Sequence, residues 1–239
     1  MSRSTFVTSK LLVACALVAA SVIVANAQMT IFNIPSADTL EKKAAYIEAD
    51  LTTKPAKYSN GGFQSYGFRV VYGLDNHTDA GINLYYTRDG GEPIAELQFA
   101  VKRNLYRNEK YGVSASAGVI YALPVRDIRG AKSYAMIYGN GSKEIGQLHG
   151  LKVTGGAYHI VGGGKSFGTK TGAMLAVEQP ITKRITFIGD WFSGRNRLGY
   201  ANAGVSFAIT KRQYIMGGYS WGNYGRGNNS ISVYYGYTF

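Results

Sequence analysis

Seven ionisable residues share one parity of alternating segments: the acids Glu48, Asp50, Glu96, Glu178 and Asp190, and the bases Arg69 and Lys102. Asn83, Gln98, Ser114, Ser116, Asn202, Tyr85 and Tyr234 fall on the same side. Acids and bases lining one cavity can bridge across it and fill it. Alternatively, they can set up a transverse field that orients polar solutes in a narrow passage. The seven charged residues are the candidate lumen and selectivity set.

Covalent and metal chemistry find less support. Gly162-Gly163-Gly164-Lys165-Ser166 looks like a phosphate loop, but the glycine required five residues before Gly164 is His159. His77, His149 and His159 stand in three separate segments, so no metal site and no cofactor are expected. Asp75-Asn76-His77-Thr78-Asp79 carries oxygen ligands of the kind calcium takes, yet five turn-forming residues between two strands read more simply as a tight connection. Acyl transfer requires a base within hydrogen-bond reach of its nucleophile. No serine stands beside His159 in a Gly-His-x-Ser arrangement, and no enzyme is expected.

The elements that position the seven are strands. Ile231, Val233, Tyr235, Tyr237 and Phe239 alternate with Ser230, Ser232, Tyr234, Gly236 and Thr238, a strict two-residue period with one apolar side. The same period places Tyr66, Phe68, Val70, Tyr72 and Leu74 opposite Ser65, Gly67, Arg69 and Gly73. It also places Ala95, Leu97, Phe99 and Val101 opposite Glu96, Gln98 and Lys102. Comparable segments begin near Ala45, Ala80, Tyr111, Lys132, Leu151, Thr171, Arg184, Leu198 and Gln213. The expected fold is all-β, a transmembrane antiparallel up-and-down barrel of about twelve strands spanning residues 44–239, with ten or fourteen as alternatives. A soluble sandwich is disfavoured, because strands with apolar residues facing outward leave it no polar surface.

Composition agrees with this class. Of 239 residues 46% are hydrophobic and only 17% charged, against about 25% charged in soluble domains. No apolar run reaches the 18 or more residues of a spanning helix, but strands hide their apolarity in alternation. Arg3 and Lys10 precede the apolar stretch Leu11–Ala25, and Ala25-Asn26-Ala27 offers a small-x-small cleavage site. Residues 1–27 are therefore expected to be a signal peptide and the mature chain to start at Gln28. Cys15 falls inside the signal, which leaves the mature chain without a thiol.

Residues 28–43 do not alternate and are expected to form an N-terminal periplasmic segment, a structural latch at the periplasmic mouth rather than a ligand site, with Ser36 capping a single helical turn aided by Thr39 or Glu41. With both termini on the periplasmic side, Glu178–Lys183 and Thr210–Arg212 are short periplasmic turns, and Arg103–Lys110 is a long one. Lys54, Lys57, Arg126, Arg129, Lys165, Lys170, Arg195, Arg197 and Arg226 fall in longer outer loops. Without Arg3 and Lys10 the chain holds 24 basic residues against 14 acids. A basic balance can mean nucleic acid, but cations confined to outer loops suit phosphate groups of lipopolysaccharide better; no nucleic-acid partner is expected.

The last strand, with aromatics at every second position and ending on Tyr237 and Phe239, resembles the C-terminal strand of bacterial outer-membrane barrels. Ile34-Pro35-Ser36-Ala37-Asp38-Thr39-Leu40-Glu41-Lys42 and Ile188-Gly189-Asp190-Trp191-Phe192-Ser193-Gly194 are similar to stretches of porin-like outer-membrane barrel proteins of Gram-negative bacteria. The resemblance implies residence in the outer membrane and Tyr237 and Phe239 as an assembly signal read by the barrel-assembly machinery. The expected function is a monomeric, narrow, passive channel for small polar solutes. The alternative is a closed structural or surface-interaction barrel that binds lipopolysaccharide or a partner through its basic outer loops.

Overall fold

The computed structural model describes residues 29–125, 131–225 and 228–239. Twelve strands form in chain order: β1 (Ala45–Lys54), β2 (Phe63–Asp75), β3 (Thr78–Arg88), β4 (Ile94–Asn108), β5 (Val113–Pro124), β6 (Tyr134–Ile145), β7 (Leu151–Gly162), β8 (Thr171–Pro180), β9 (Ile185–Phe192), β10 (Tyr200–Ala208), β11 (Gln213–Gly222) and β12 (Ser230–Thr238). Each strand pairs antiparallel with its chain neighbours, and β1 pairs with β12 to close the barrel. Closure leaves no unpaired edge, which is what hydrocarbon demands of a sheet.

The two-residue period decides which side chains face out. Tyr66, Phe68, Val70, Tyr72 and Leu74 of β2, Phe99 and Val101 of β4, and Ile231, Val233 and Tyr235 of β12 are all exposed on the outer wall. Their alternates Arg69, Lys102 and Tyr234 point inward. The outer face is apolar, while the inner face mixes charged and polar residues with apolar ones such as Met174, Ile188 and Met216; an apolar exterior over a partly polar interior is the reverse of a soluble barrel and matches a wall bathed in lipid.

Chain reversals sort by length. At the end holding Ala45 and Phe239, here the terminal end, the turns are short. The backbone N–H of His77 donates to Asp75 Oδ1 at 2.7 Å in the β2–β3 turn, which is a tight connection with the aspartate folded onto its own backbone. The long Arg103–Lys110 turn does not exist. β4 continues to Asn108, with a bulge between Asn104 and Tyr106 that leaves Leu105 and Tyr106 both exposed. An added residue in one strand alone shifts the alternation by one, which hides the strand from a strict period. At the far end the loops are longer. Gly162, Gly163 and Gly164 take consecutive left-handed φ values of 83°, 71° and 69°; that turn, not phosphate binding, accounts for the glycine run.

The interior is not empty. Residues 29–40 enter it as a hairpin: Thr30 bridges Pro35, and Ser36 N donates to Met29 O. Ser36 caps no helix; its hydroxyl donates to Asp38 O at 3.3 Å. Ile31, Phe32, Ile34, Ala37 and Leu40 are buried. The segment expected in the periplasm occupies the lumen because its apolar side chains have no other place to leave water.

Candidate functional site

The hairpin is gripped mainly through its backbone. At its tip the N–H groups of Phe32, Asn33 and Ile34 all donate to Asp190 Oδ2, at 3.1, 2.7 and 2.8 Å. Asn202 on β10 donates to the other carboxylate oxygen at 2.5 Å. Three successive amides that converge on one anion form a backbone nest, here filled by a side chain of the wall. Phe32 lies edge-on to Tyr234, ring centroids 5.3 Å apart, and the Tyr234 hydroxyl donates to Asn33 Oδ1 at 3.3 Å. Two glycines make the space: a Cβ at Gly204 or Gly218 would lie 2.7 Å from Phe32 Cε2.

Lower down, each turn of the segment meets a different strand. Asn140 on β6 donates to Pro35 O, and Asn104 and Ser114 donate to Ala37 O at 3.0 and 3.1 Å. Lys102 Nζ donates to Asp38 O and lies 3.5 Å from Asp79. Leu40 N donates to Asp79 Oδ1 at 3.0 Å. Lys152 is ion-paired with Asp38, and Arg107 approaches the same carboxylate at 3.7 Å. Burial disfavours ionisation of Asp38, but Lys152 above all, with Arg107 and Lys102, outweighs it and holds the carboxyl below the usual carboxylate range. Outside the lumen, Lys42 N and Thr39 Oγ1 fasten the segment to Asn76 of the β2–β3 turn, at 3.1 and 3.2 Å.

A second cluster lies beside the hairpin. Glu48 receives Arg69 Nη1 at 2.8 Å, the Tyr214 hydroxyl at 2.5 Å and the Tyr46 hydroxyl, and the two tyrosine oxygens are 2.6 Å apart. Arg69 also donates to Asn83 at 3.2 Å, Tyr85 at 3.1 Å and Thr30 of the hairpin at 3.0 Å. This charge is buried, paired and hydrogen-bonded, the condition under which an interior tolerates it. Ser116 donates to Asn140, and Asn83 donates to Gln98.

All seven lumen candidates face the interior, yet they do not form opposed rows across an open passage. Glu48 and Arg69 pair with each other on adjacent strands. Lys102 pairs with Asp79 and the hairpin, and Asp190 is taken by hairpin amides. Glu178 lies near Lys152 and Asp38 without a direct bond to either. Asp50 and Glu178 each have a buried carboxylate oxygen, Oδ2 and Oε2, and neither an ion pair nor a hydrogen bond among the described residues; Glu178 has Lys152 opposite it in register, whereas Asp50 has Gly67 and Tyr234.

The outer-loop basic residues divide. Lys165, Lys170 and Arg195 are exposed. Arg126, Arg129 and Arg226 lie outside the described residues. Arg197 does not point away from the barrel. Its guanidinium reaches Glu96 on β4 at 2.6 and 3.1 Å and lies 5.1 Å from the Tyr134 ring centre. The loop carrying it is folded over the far mouth. Asn196, fully buried, donates to the Tyr158 hydroxyl at 2.8 Å and to Thr169 O at 2.6 Å, and Phe167 stacks on Tyr134 at 5.0 Å.

At the terminal end a vestibule of about 530 Å³ opens, bordered by Asp38, Arg107, Glu144, Lys152, Arg212 and Phe239 among others. Among the described residues no group of three or more His, Cys, Asp or Glu residues could hold a metal ion. His159 bonds to Thr171 Oγ1 at 2.7 Å on the outer wall.

No protein-family model and no curated relative matches the sequence. Solved structures do match in shape. The KdgM porin has a TM-score of 0.59 at 10% identity over 81% of this chain and 99% of the porin. The same porin in complex with disordered oligogalacturonate gives 0.58 at 9% identity over 82% of this chain and 99% of that one. The COG4313 outer membrane channel from Pseudomonas putida F1 gives 0.55 at 13% identity, over 85% and 98%. The fold is that of outer-membrane β-barrel porins and channels.

Proposed function

We propose that the chain is exported through its N-terminal signal into the outer membrane, where it is a monomeric, narrow, passive channel for small polar solutes. The hairpin of residues 29–40 closes it in the conformation described, and displacement of the hairpin opens it. The observation that carries this reading is how the hairpin is held. Lys102 and Asn104 of β4, Ser114 of β5, Asn140 of β6 and Asp190 of β9 bond its main chain, four strands in all. Water can take over each of these bonds singly when the hairpin leaves, and the wall left behind keeps these polar groups among apolar ones such as Met174, Ile188 and Met216. The porin and channel shapes favour the same reading without naming a solute.

In this reading the terminal end faces the periplasm, and Lys165, Lys170 and Arg195 meet lipopolysaccharide phosphates. Tyr237 and Phe239, with ring centroids 4.6 Å apart on the outer wall, present the C-terminal signal to the assembly machinery.

The filled lumen favours a second reading, a closed barrel whose work is done by its outer loops. Single-channel recording in planar bilayers separates the two. Discrete openings in the full-length chain, more frequent in Asp190→Ala, support the channel. Silence in both proteins selects the closed barrel.

A further inference from the structure

Among the described residues two wall carboxylates have a buried oxygen and neither a hydrogen bond nor an ion pair, Asp50 and Glu178; Glu178 has the base Lys152 opposite it in register, and Asp50 has no base opposite it on either neighbouring strand. Asp50 is 9% exposed, and its Oδ2 is buried with no hydrogen-bond partner. It pairs in register with Gly67 of β2 and Tyr234 of β12. Gly67 makes room for the carboxylate itself, since a Cβ there would lie 2.2 Å from Asp50 Oδ2. Tyr234 is the residue that packs on Phe32 and donates to Asn33, so Asp50 sits beside the hairpin tip, where the passage would begin once the tip moves.

The charges around Asp50 do not neutralise it. Arg69 is its basic neighbour, but that guanidinium is already committed to Glu48, Asn83, Tyr85 and Thr30. Glu48 lies two residues away on the same face and adds negative potential; Tyr46, Tyr85 and Tyr234 are the other titratable groups nearby. A carboxylate taken from water without a donor is costly, and a cation entering the lumen relieves that cost. An anion at the same place meets two carboxylates, Glu48 and Asp50, against the single guanidinium of Arg69, which is bonded to Glu48.

We propose that Asp50 is the selectivity-determining residue of the lumen, and that the solutes it admits are small cations: alkali ions and primary ammonium compounds. The inference rests on the channel reading and deepens it by naming the solute class.

The test uses full-length protein in planar bilayers under a potassium chloride gradient, with openings made frequent by the neutral substitution Asn140→Ala, which removes the donor to Pro35. In that background the reversal potential should report cation preference. Adding Asp50→Asn, nearly identical in shape, should lower the potassium-to-chloride permeability ratio at least threefold. Asp50→Glu should keep the preference, and Asp75→Asn, in the terminal-end turn, should leave it unchanged. Folding of each variant is checked by heat-dependent gel mobility, and should Asp50→Asn fail to fold, Asp50→Glu against Asp50→Ser makes the same comparison. Openings with an unchanged ratio overturn the role of Asp50 and leave the channel standing. The absence of openings in every protein removes the channel and this inference with it.

Discussion

Arg197 spans the far mouth of the barrel to Glu96, a residue 101 positions earlier in the chain, with two guanidinium nitrogens at 2.6 and 3.1 Å from the carboxylate oxygens. The arginine comes from the β9–β10 loop and the glutamate from β4, so the contact ties strands that are not neighbours in the sheet. The carboxylate is buried while the arginine side chain is about half exposed (51%). Solvent therefore screens the pair, and it is worth on the order of 1 kcal/mol or less.

A latch of that strength affects loop motion more than barrel stability. In Glu96→Gln, trypsin should cleave the folded, membrane-embedded protein after Arg195 and Arg197 severalfold faster than in the wild type, with the thermal unfolding midpoint unchanged. Equal cleavage rates would show that the loop is held by its other contacts, those of Asn196 with Tyr158 and Thr169 and of Tyr224 with Arg195 among them, and not by the Glu96 pair.

The hairpin tip depends on one carboxylate. Asp190→Ala orphans three amides in a buried place, at a cost of roughly 3 kcal/mol to docking, a little over a hundredfold in the docking equilibrium. Hydrogen exchange at Phe32, Asn33 and Ile34 should accelerate by about that factor while the β9–β10 ladder stays protected. Unchanged exchange at these amides would falsify Asp190 as the anchor.

Acid should loosen the base of the hairpin. The Asp38 carboxyl lies below its ordinary value of 3.8 in the folded protein, so its ion pairs with Lys152 and Arg107 are fully present above that ordinary value. They are lost as pH falls through the lower, folded value. Opening frequency should stay flat from pH 7 to about 5 and rise below about 4. In Asp38→Asn it should already be raised at pH 7, with a shallower acid response. An identical acid response in the variant would assign the effect to other carboxylates.

The outer wall makes the plainest claim. A lysine at Val70 or Phe99 near the middle of the bilayer should cost roughly 2–4 kcal/mol and abolish insertion into lipid vesicles, while Val70→Ile and Phe99→Leu insert normally. Insertion of both lysine variants at the wild-type rate would mean that this wall does not face lipid.

The strands were legible because lipid imposes a rule on every second residue, and the outward positions of β2 from Tyr66 onward, of β12 and of β4 as far as Val101 are apolar over several turns of the pleat. The bulge at Asn104 and Tyr106 broke the rule locally, and so β4 looked shorter than it is. The hairpin was not legible. It has no period, and what holds it is largely main-chain N–H and C=O, which leave no mark in a sequence. Its anchor Asp190 could be placed on the inner face, but nothing connected it with amides 156 to 158 residues away. One signal was present: Ile31, Phe32, Ile34 and Leu40, in a segment read as a latch at the periplasmic mouth, imply burial deeper than a mouth provides. Arg197 misled for a related reason, since a basic residue in a glycine- and asparagine-rich loop looks the same whether it faces solvent or folds back.

The hairpin immediately precedes β1, the strand that closes the ring against β12, and its grips lie on β2 to β7, β9 and β12. During folding those grips exist together only once nearly the whole wall has curved into place, so the hairpin can dock only late. Contacts this distant in sequence are also slow to form. Sealing is thereby made conditional on completion: a half-built or misregistered barrel cannot lodge its own stopper, and the exposed apolar tip of Ile31, Phe32 and Ile34 would mark it as unfinished to any protease or chaperone in reach.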